Sequence, residues 1–544
     1  MITEAKTSCP LCAMPTSSVL LAEAGWISPE VERQLHQEHA HWQRSDGACP
    51  ACVQHYLLQT LLQRGEAALH QSIQAVWPLD AQAAFGALPT PLRLHADPRF
   101  TGKGVILAMV DSAFYPHPDL VQPVNRIRAW VNASDPALPA SCFEADAAPR
   151  WPDWDGAAAG QWHGTMTSVA AAGNGWLSHG LYRGLASAAE LVLIQTMDGD
   201  GRITNKSILR ALQWLRQNHT ALNIKVVNIS LGADPVESWP GHPIDAAVEA
   251  LVRAGVTVVV AAGNNGERRL VPPATAPSAL TIGGLDDKNN FDDDEINLWH
   301  SNYGEALNGA FKPELVAPSI WVVAPVLPET TLALEAQELF ARRAAGDQSC
   351  EARIAECKLV TPHYQHVDGT SFAAPLTASV GACMLEANPT LSPFLLREAL
   401  INSAEPIKNV PLERQGAGAL YAGRAVAHAL REKHSQRNGN FTSPQVTDKM
   451  VSFMLHDHQA RKVQVFGSWN DWSAGLFAQS IEKGVWLASS PLPAKGRYQY
   501  KFLVDDQHWR DDPANPQKAP DGLGGLNSVL SIPDDVKTRE KAAP

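Results

Sequence analysis

Apolar runs of strand length alternate with helix-period segments through the middle of the chain. The β-type runs are Gly104–Asp111, Leu191–Met197, Lys225–Leu231, Val256–Ala262 and Ala279–Gly284. Helical patterns fall between them at Gly164–Ala172, Thr204–Gln217 and Ile244–Arg253, and further helices are predicted at Ser371–Glu386 and Ser392–Asn402. Strands that are apolar throughout and alternate with helices predict a parallel sheet covered on both faces. The pattern stops after Leu430. Residues 431–450 are too polar to pack and predict a linker. Beyond them, β-type segments punctuated by Gly467, Asn470, Gly484 and Gly496 predict a small all-β sandwich.

Composition narrows this picture without redirecting it. The 544 residues suffice for about three domains at roughly 100–200 residues each. A hydrophobic share of 45% excludes wholesale disorder. Lys and Arg number 44 against 56 Asp and Glu, a net charge of −12 with no long basic run, which argues against a nucleic-acid partner. No apolar stretch approaches the roughly 20 residues that span a bilayer, so no membrane partner is expected. The first residues lack the basic start and apolar core of a secretory signal, and a cytoplasmic location is the expectation.

Three segments place a chemically capable residue at a strand end or helix start. Asp111 closes the apolar run that begins at Gly104, His163 opens the helical run through Ala172, and Ser371 opens the run through Glu386. Sites in open α/β sheets assemble at the carboxyl ends of strands, so these residues can converge. The chemistry would be acyl transfer: Ser371 attacks, His163 carries the proton, and Asp111 orients and stabilises the imidazole. Asn264, after the strand Val256–Val260, would donate its amide to the developing oxyanion. Taken singly, each has a plainer role as a cap, turn or surface residue.

Together these blocks resemble the subtilisin-like serine proteases. The Asp…His…Ser order matches, as do His117-Pro-Asp-Leu120, His163-Gly-Thr, Asn228-Ile-Ser-Leu-Gly232, Ala-Ala-Gly-Asn264 and Gly-Thr-Ser371-Phe-Ala-Ala-Pro. The resemblance spans Leu92 to Ala429 and implies a serine endopeptidase acting on protein or peptide. It further implies that Ser230, Leu231 and Gly232, with Ala261, Ala262 and Gly263, line the primary specificity cleft, where a substrate would add as a strand. The rival is a scaffold of the same fold that no longer cuts. Three departures stand out: a Trp-, Asp-, Ala- and Pro-rich stretch, 121–160, expected as a surface loop; Ser319 where the family block ends in Gly; and an insertion, 328–365, with a helical pattern at Leu332–Ala345.

The eight cysteines are too few for a disulfide scaffold. Cys9-Pro-Leu-Cys12 and Cys49-Pro-Ala-Cys52 form two Cys-x-x-Cys knuckles, which suit a tetrahedral structural zinc site. Redox-active dithiols are the alternative. A helix such as Glu30–Trp42 fits between the knuckles, and its His36, His39 and His41 are alternative ligands. A helical stretch is expected over Val53–Val76. Cys142 and Cys383 read as isolated thiols, and Cys350 and Cys357 as a pair able to bridge or stay reduced. Asp286, Asp287, Asp292, Asp293, Asp294 and Glu295 form an acidic run, read as a solvated loop, with calcium as the alternative because subtilases often bind it.

In the C-terminal part, Val463–Trp472 and Gly496–Pro513 alternate aromatic residues along β-type sequence. These segments resemble the glycogen-binding modules of carbohydrate-binding family forty-eight. The resemblance implies that Trp472 and Trp509 stack on α-glucan, with Lys501 and Asn527 as polar contacts. An interaction role toward protein stays open beside it. The expected organisation is a zinc module at 1–60, a helical connector at 61–90, a protease domain at 91–430, a linker at 431–450, an immunoglobulin-like sandwich at 451–535 and a tail at 536–544.

Overall fold

The computed structural model describes residues 6–11, 15–17, 29–48, 52–53, 56, 87–135, 141–142, 160–178, 180–233, 242–290, 295–306, 310–436, 443–447, 449–457, 460–482, 485–515, 517–522 and 525–532. Its centre is a parallel sheet of β1 (Ile106–Asp111), β2 (Ile127–Asn132), β3 (Glu190–Gln195), β4 (Ile224–Ile229), β5 (Thr257–Ala261) and β6 (Leu280–Asp286). Their spatial order is β6-β5-β4-β1-β3-β2, and β7 (Leu315–Pro318) pairs parallel to β6. The chain therefore changes its direction of travel across the sheet at β1, the switch point where open α/β folds collect their ligands.

Each strand splits its side chains between two cores. Leu107, Met109, Leu191, Leu193, Val226 and Val259 pack on one face with α1 (Gln161–Ala172), α4 (Thr370–Ala387), α5 (Pro393–Ser403) and α6 (Ala422–Gln436). Ala108, Val110, Val192, Ile194, Val227 and Val258 pack on the other with α2 (Asn205–Asn218) and α3 (Pro243–Arg253). Alternation under a fully apolar strand is what burial on both faces requires. The predicted subtilisin-like α/β architecture is observed, and the insertion folds as a helix, Thr331–Ala344, on a small core of Ala333, Ala336, Leu339, Cys350 and Ile354.

Two stretches differ from expectation. Residues 121–160 are not solely a loop, because β2 lies within them, paired with β3 from Ile127 to Asn132. Arg128 breaks the apolar run there, and its charge is met by Glu190 on β3, a partner that a local pattern does not reveal. The expected linker is partly built in. α6 continues to Gln436, and buried Ser443 accepts from the Met454 amide and donates to Asp512.

The C-terminal unit is all-β and antiparallel. Its strands β8 (Met450–His456), β9 (Val463–Gly467), β10 (Leu476–Glu482), β11 (Val485–Pro491), β12 (Gly496–Val504) and β13 (Leu526–Ile532) follow the order β8-β11-β10-β9-β12-β13. Val451, Phe453, Val465, Tyr500, Phe502 and Leu530 form its interior. Met454, Val485 and Leu487, on the opposite faces of β8 and β11, join the apolar cluster that holds Phe394 and Leu395 of α5. Ser452 and Ser489 both donate to Glu398 of α5. The β unit thus rests on the α/β body through β8 and β11, while β9, β12 and β13 follow beyond β10 in the strand order.

Among the described residues, no helix is long and apolar enough to cross a membrane.

Candidate active site

Asp111 ends the central strand, with its carboxylate buried in the sheet. Such a charge must be fully engaged. Oδ1 accepts from the Ser112 amide at 2.7 Å and contacts His163 Nδ1 at 2.6 Å, and Oδ2 accepts from Thr167 Oγ1 at 2.9 Å. The geometry assigns the proton to His163 Nδ1, leaving Nε2 as the basic nitrogen. Burial is the largest effect on His163 and lowers its pKa, but the charge and hydrogen bond of Asp111 together outweigh it. The imidazole therefore titrates above its ordinary 6.5.

α1 can bring His163 to the strand end because Gly164 has no side chain. A Cβ there would stand 2.3 Å from the Ala113 carbonyl and 2.9 Å from Phe114. Thr167 lies four residues after His163, on the same face of α1, so one helix supplies both side-chain partners of Asp111. That spacing was legible in the sequence, yet it carried no motif, and Thr167 was missed.

Ser371 is the second residue of α4, and the Phe372 ring beside it is 6.0 Å from the His163 ring. Pro375 follows four residues later. It has no N–H for the Ser371 carbonyl, which accepts from Ser230 Oγ instead, at 2.8 Å. Ser230 in turn accepts from Asn228 Nδ2 at 2.9 Å, so the end of β4 is fastened to the start of α4. The Gly369 amide donates to the Ser319 carbonyl at 2.7 Å, so Ser319 serves this turn through its backbone.

Asn264 follows β5. Its Oδ1 accepts from the Thr370 amide at 3.0 Å and the Thr370 hydroxyl at 2.8 Å. With Oδ1 so occupied, the amide cannot flip, and Nδ2 is the group left to face the Gly369–Ser371 turn. The Gly263 amide also donates to Thr370 Oγ1, at 3.1 Å. Ser230 after β4 and Gly263 after β5 hence both bond to the start of α4, with Leu231, Gly232, Ala261 and Ala262 next to them in the chain.

The other candidate residues separate. Cys9 and Cys52 are buried with their sulfurs 3.8 Å apart, while Cys12 and Cys49 lie outside the described residues. His39 Nε2 is 2.8 Å from Tyr56 Oη, and the His36 ring tilts against Trp42. Among the described residues, no group of three or more His, Cys, Asp or Glu is arranged to hold a metal. Asp286 and Asp287 are paired with Lys288 and Arg93, and Glu295 accepts from Asn290; Asp292, Asp293 and Asp294 lie outside the described residues. Cys350 donates to the Asp347 carbonyl rather than bridging to Cys357, and buried Cys383 donates to the Leu185 carbonyl. In the β unit, the Trp472 and Trp509 rings lie 6.4 Å apart at 72°, Lys501 pairs with Asp521 at 2.6 Å, and Asn527 donates to Gln499 at 2.6 Å.

An imidazole on a buried carboxylate at the switch point of a parallel sheet, beside a serine-headed helix, is the arrangement that a hydrolase of the serine type requires. Residues 102–419 match the family model described as the subtilase family, and residues 452–538 match that of the glycogen recognition site of AMP-activated protein kinase. Serine protease AprX of Bacillus subtilis (strain 168) is 29% identical over 335 residues, covering 60% of this chain and 67% of that protein. Subtilisin BL of Lederbergia lenta is 27% identical over 328 residues, covering 60% of this chain and 92% of that protein. The chain belongs to the subtilase family and is a subtilisin-like serine endopeptidase.

Protonating His163 removes the basic nitrogen, and its raised pKa moves that loss to higher pH. The acid limb of kcat/KM for peptide hydrolysis is therefore expected above pH 6.5. A limb below that value would contradict the Asp111 contact as the controlling influence.

Proposed function

We propose that the chain cleaves peptide bonds through Ser371, His163 and Asp111, with Asn264 as an oxyanion donor. The observation that carries the proposal is the 2.6 Å contact between His163 and buried Asp111, which leaves Nε2 as a base. Ser371 Oγ bonds to the scissile carbonyl carbon as its proton passes to His163 Nε2, and the carbonyl oxygen takes up the negative charge. Asn264 Nδ2 and neighbouring backbone amides oppose that charge. His163 then protonates the leaving amine as the C–N bond breaks, giving an acyl-enzyme and a free N-terminus. Water repeats the sequence, with His163 taking its proton and returning one to Ser371 as the ester breaks. Asp111 stays ionised and favours the imidazolium formed in both halves. Ser230–Gly232 and Ala261–Gly263 flank the cleft in which an extended peptide would pair with backbone.

Ser371→Ala is expected to reduce casein hydrolysis by at least about 10⁴-fold without lowering Tm. Activity within tenfold of the parent would assign the nucleophile elsewhere and revive a scaffold role for this fold.

The C-terminal unit is read as binding α-glucan and holding the protease against proteins on such polymers. Support comes from the outward face of β9 and β12, where Phe466 lies 5.2 Å from Trp509, itself half-exposed and beside Trp472. Indole faces suit sugar rings, and Lys501, Gln499 and Asn527 offer polar contacts to hydroxyls. Glycogen should retain the full chain, and Trp509→Ala should weaken retention at least about tenfold. Equal retention of both would leave a protein-interaction role for the unit.

A structural zinc in the N-terminal part is the reading that the Cys9–Cys52 spacing favours. Thiolates about 2.3 Å from a tetrahedral zinc stand about 3.8 Å from one another, the separation of these sulfurs from two knuckles. Cys12 and Cys49, the remaining cysteine of each knuckle, would complete the set, which requires reduced thiols and hence a reducing compartment. Purified chain should carry one zinc by elemental analysis, lost in Cys9→Ser; a metal-free parent would dismiss the site.

A further inference from the structure

The donor atom of Asn264 is useful only if its loop is stationary, and the contacts that hold the loop come from a separate segment, His300–Tyr303. The Asn302 amide donates to the Gly263 carbonyl at 2.9 Å. The Asn302 side chain accepts through Oδ1 from the Asn265 amide at 2.8 Å and the Glu267 amide at 3.3 Å. His300, stacked on Trp299, donates from Nδ1 to the Asn264 carbonyl at 2.8 Å. The Tyr303 amide donates to the Glu267 carbonyl at 3.0 Å. Backbone groups before, at and after Asn264 are therefore bonded to one external strap.

The strap is itself anchored to the sheet. Buried Ser301, between the two side chains, accepts from the Gly284 amide of β6 at 2.9 Å. The approach of Asn302 is so close that a Cβ at Gly263 would stand 2.7 Å from Nδ2, and Gly263 has φ +104. Asn302 is buried, so its amide is not one more solvated surface group.

We infer that Asn302 is a positioning residue for the transition-state contact made by Asn264, assisted by His300. This rests on the acyl-transfer reading above. Neither residue need touch substrate. Their bonds fix the backbone on both sides of Asn264, while Thr370 holds Oδ1, so Nδ2 meets the developing oxyanion without rearrangement. A loop free to shift by about an ångström would lose most of a preorganised donor's effect. Ground-state binding through Ser230–Gly232 and Ala261–Gly263 would be little affected, so the loss belongs in kcat.

The test is a double-mutant cycle on peptide hydrolysis with Asn264→Ala, Asn302→Ala and the pair. Asn264→Ala should lower kcat by about 10²–10³-fold. Asn302→Ala should lower kcat by roughly 10–100-fold with KM within about threefold, and Asn302→Asp, which keeps the acceptor oxygen, should recover most of it. Adding Asn302→Ala to Asn264→Ala should cost less than about threefold more, since the contact being positioned is gone. His300→Ala, at an exposed site, supplies a folding-safe second arm and should lower kcat roughly threefold to tenfold, again without adding to Asn264→Ala. Losses that multiply in the double variants, or fall on KM alone, would overturn the inference while leaving the oxyanion assignment intact. Full kcat in Asn264→Ala would overturn that assignment, and the inference with it.

Discussion

A buried carboxylate at the end of the central strand sets the terms for the rest of the site. Asp111 is taken out of water by the sheet that carries it, and an ionised group there is tolerable only with strong, directed partners. Ser112, His163 and Thr167 supply them, two from one helix. That requirement dictates where α1 can lie, and Gly164 is the concession that lets it come close enough. The strand order adds the space: β3 and β4 lie on either side of β1, opening a crevice at the carboxyl end of the sheet where the imidazole stands.

The same economy recurs around Ser371. Pro375 withholds a helical hydrogen bond, and the carbonyl it leaves over becomes the attachment point for Ser230. Thr370 occupies the Asn264 carbonyl oxygen and also receives the Gly263 amide. Three chain segments that meet only in the folded state, the ends of β4 and β5 and the start of α4, are thereby set in fixed relation. Preorganisation of this kind lets catalysis proceed without spending binding energy on rearrangement. The C-terminal unit sits apart from these bonds, resting on α5 through Glu398 and turning its aromatic face the other way.

Much of this was readable from the sequence because it is local. Five uninterrupted apolar strands announced a doubly covered sheet, and Asp111, His163, Asn264 and Ser371 each sit in a short block at an element boundary. Other features depend on partners distant in the chain. β2 was read as loop because it lies in a stretch rich in Trp, Asp, Ala and Pro, and the charge of Arg128 within it is met only by Glu190 across the sheet. Ser443, within a stretch read as linker, is buried because Asp512 reaches it from across the β unit. Asn302 belongs to a polar run with no periodicity, and its bonds to residues 263–267 exist only once β5 and β6 are paired. Thr167 is the exception: its i+4 spacing from His163 was available and went unused.

Covalent trapping tests the central claim most directly. A biotinylated fluorophosphonate, incubated with the full chain and followed by peptide mapping, reports which hydroxyl is activated by the buried Asp111–His163 pair. The account predicts one adduct, on Ser371, formed at a rate that falls as pH drops through the His163 pKa and abolished in His163→Ala. An adduct on another residue, or labelling of Ser371 that persists in His163→Ala at the parent rate, would contradict it.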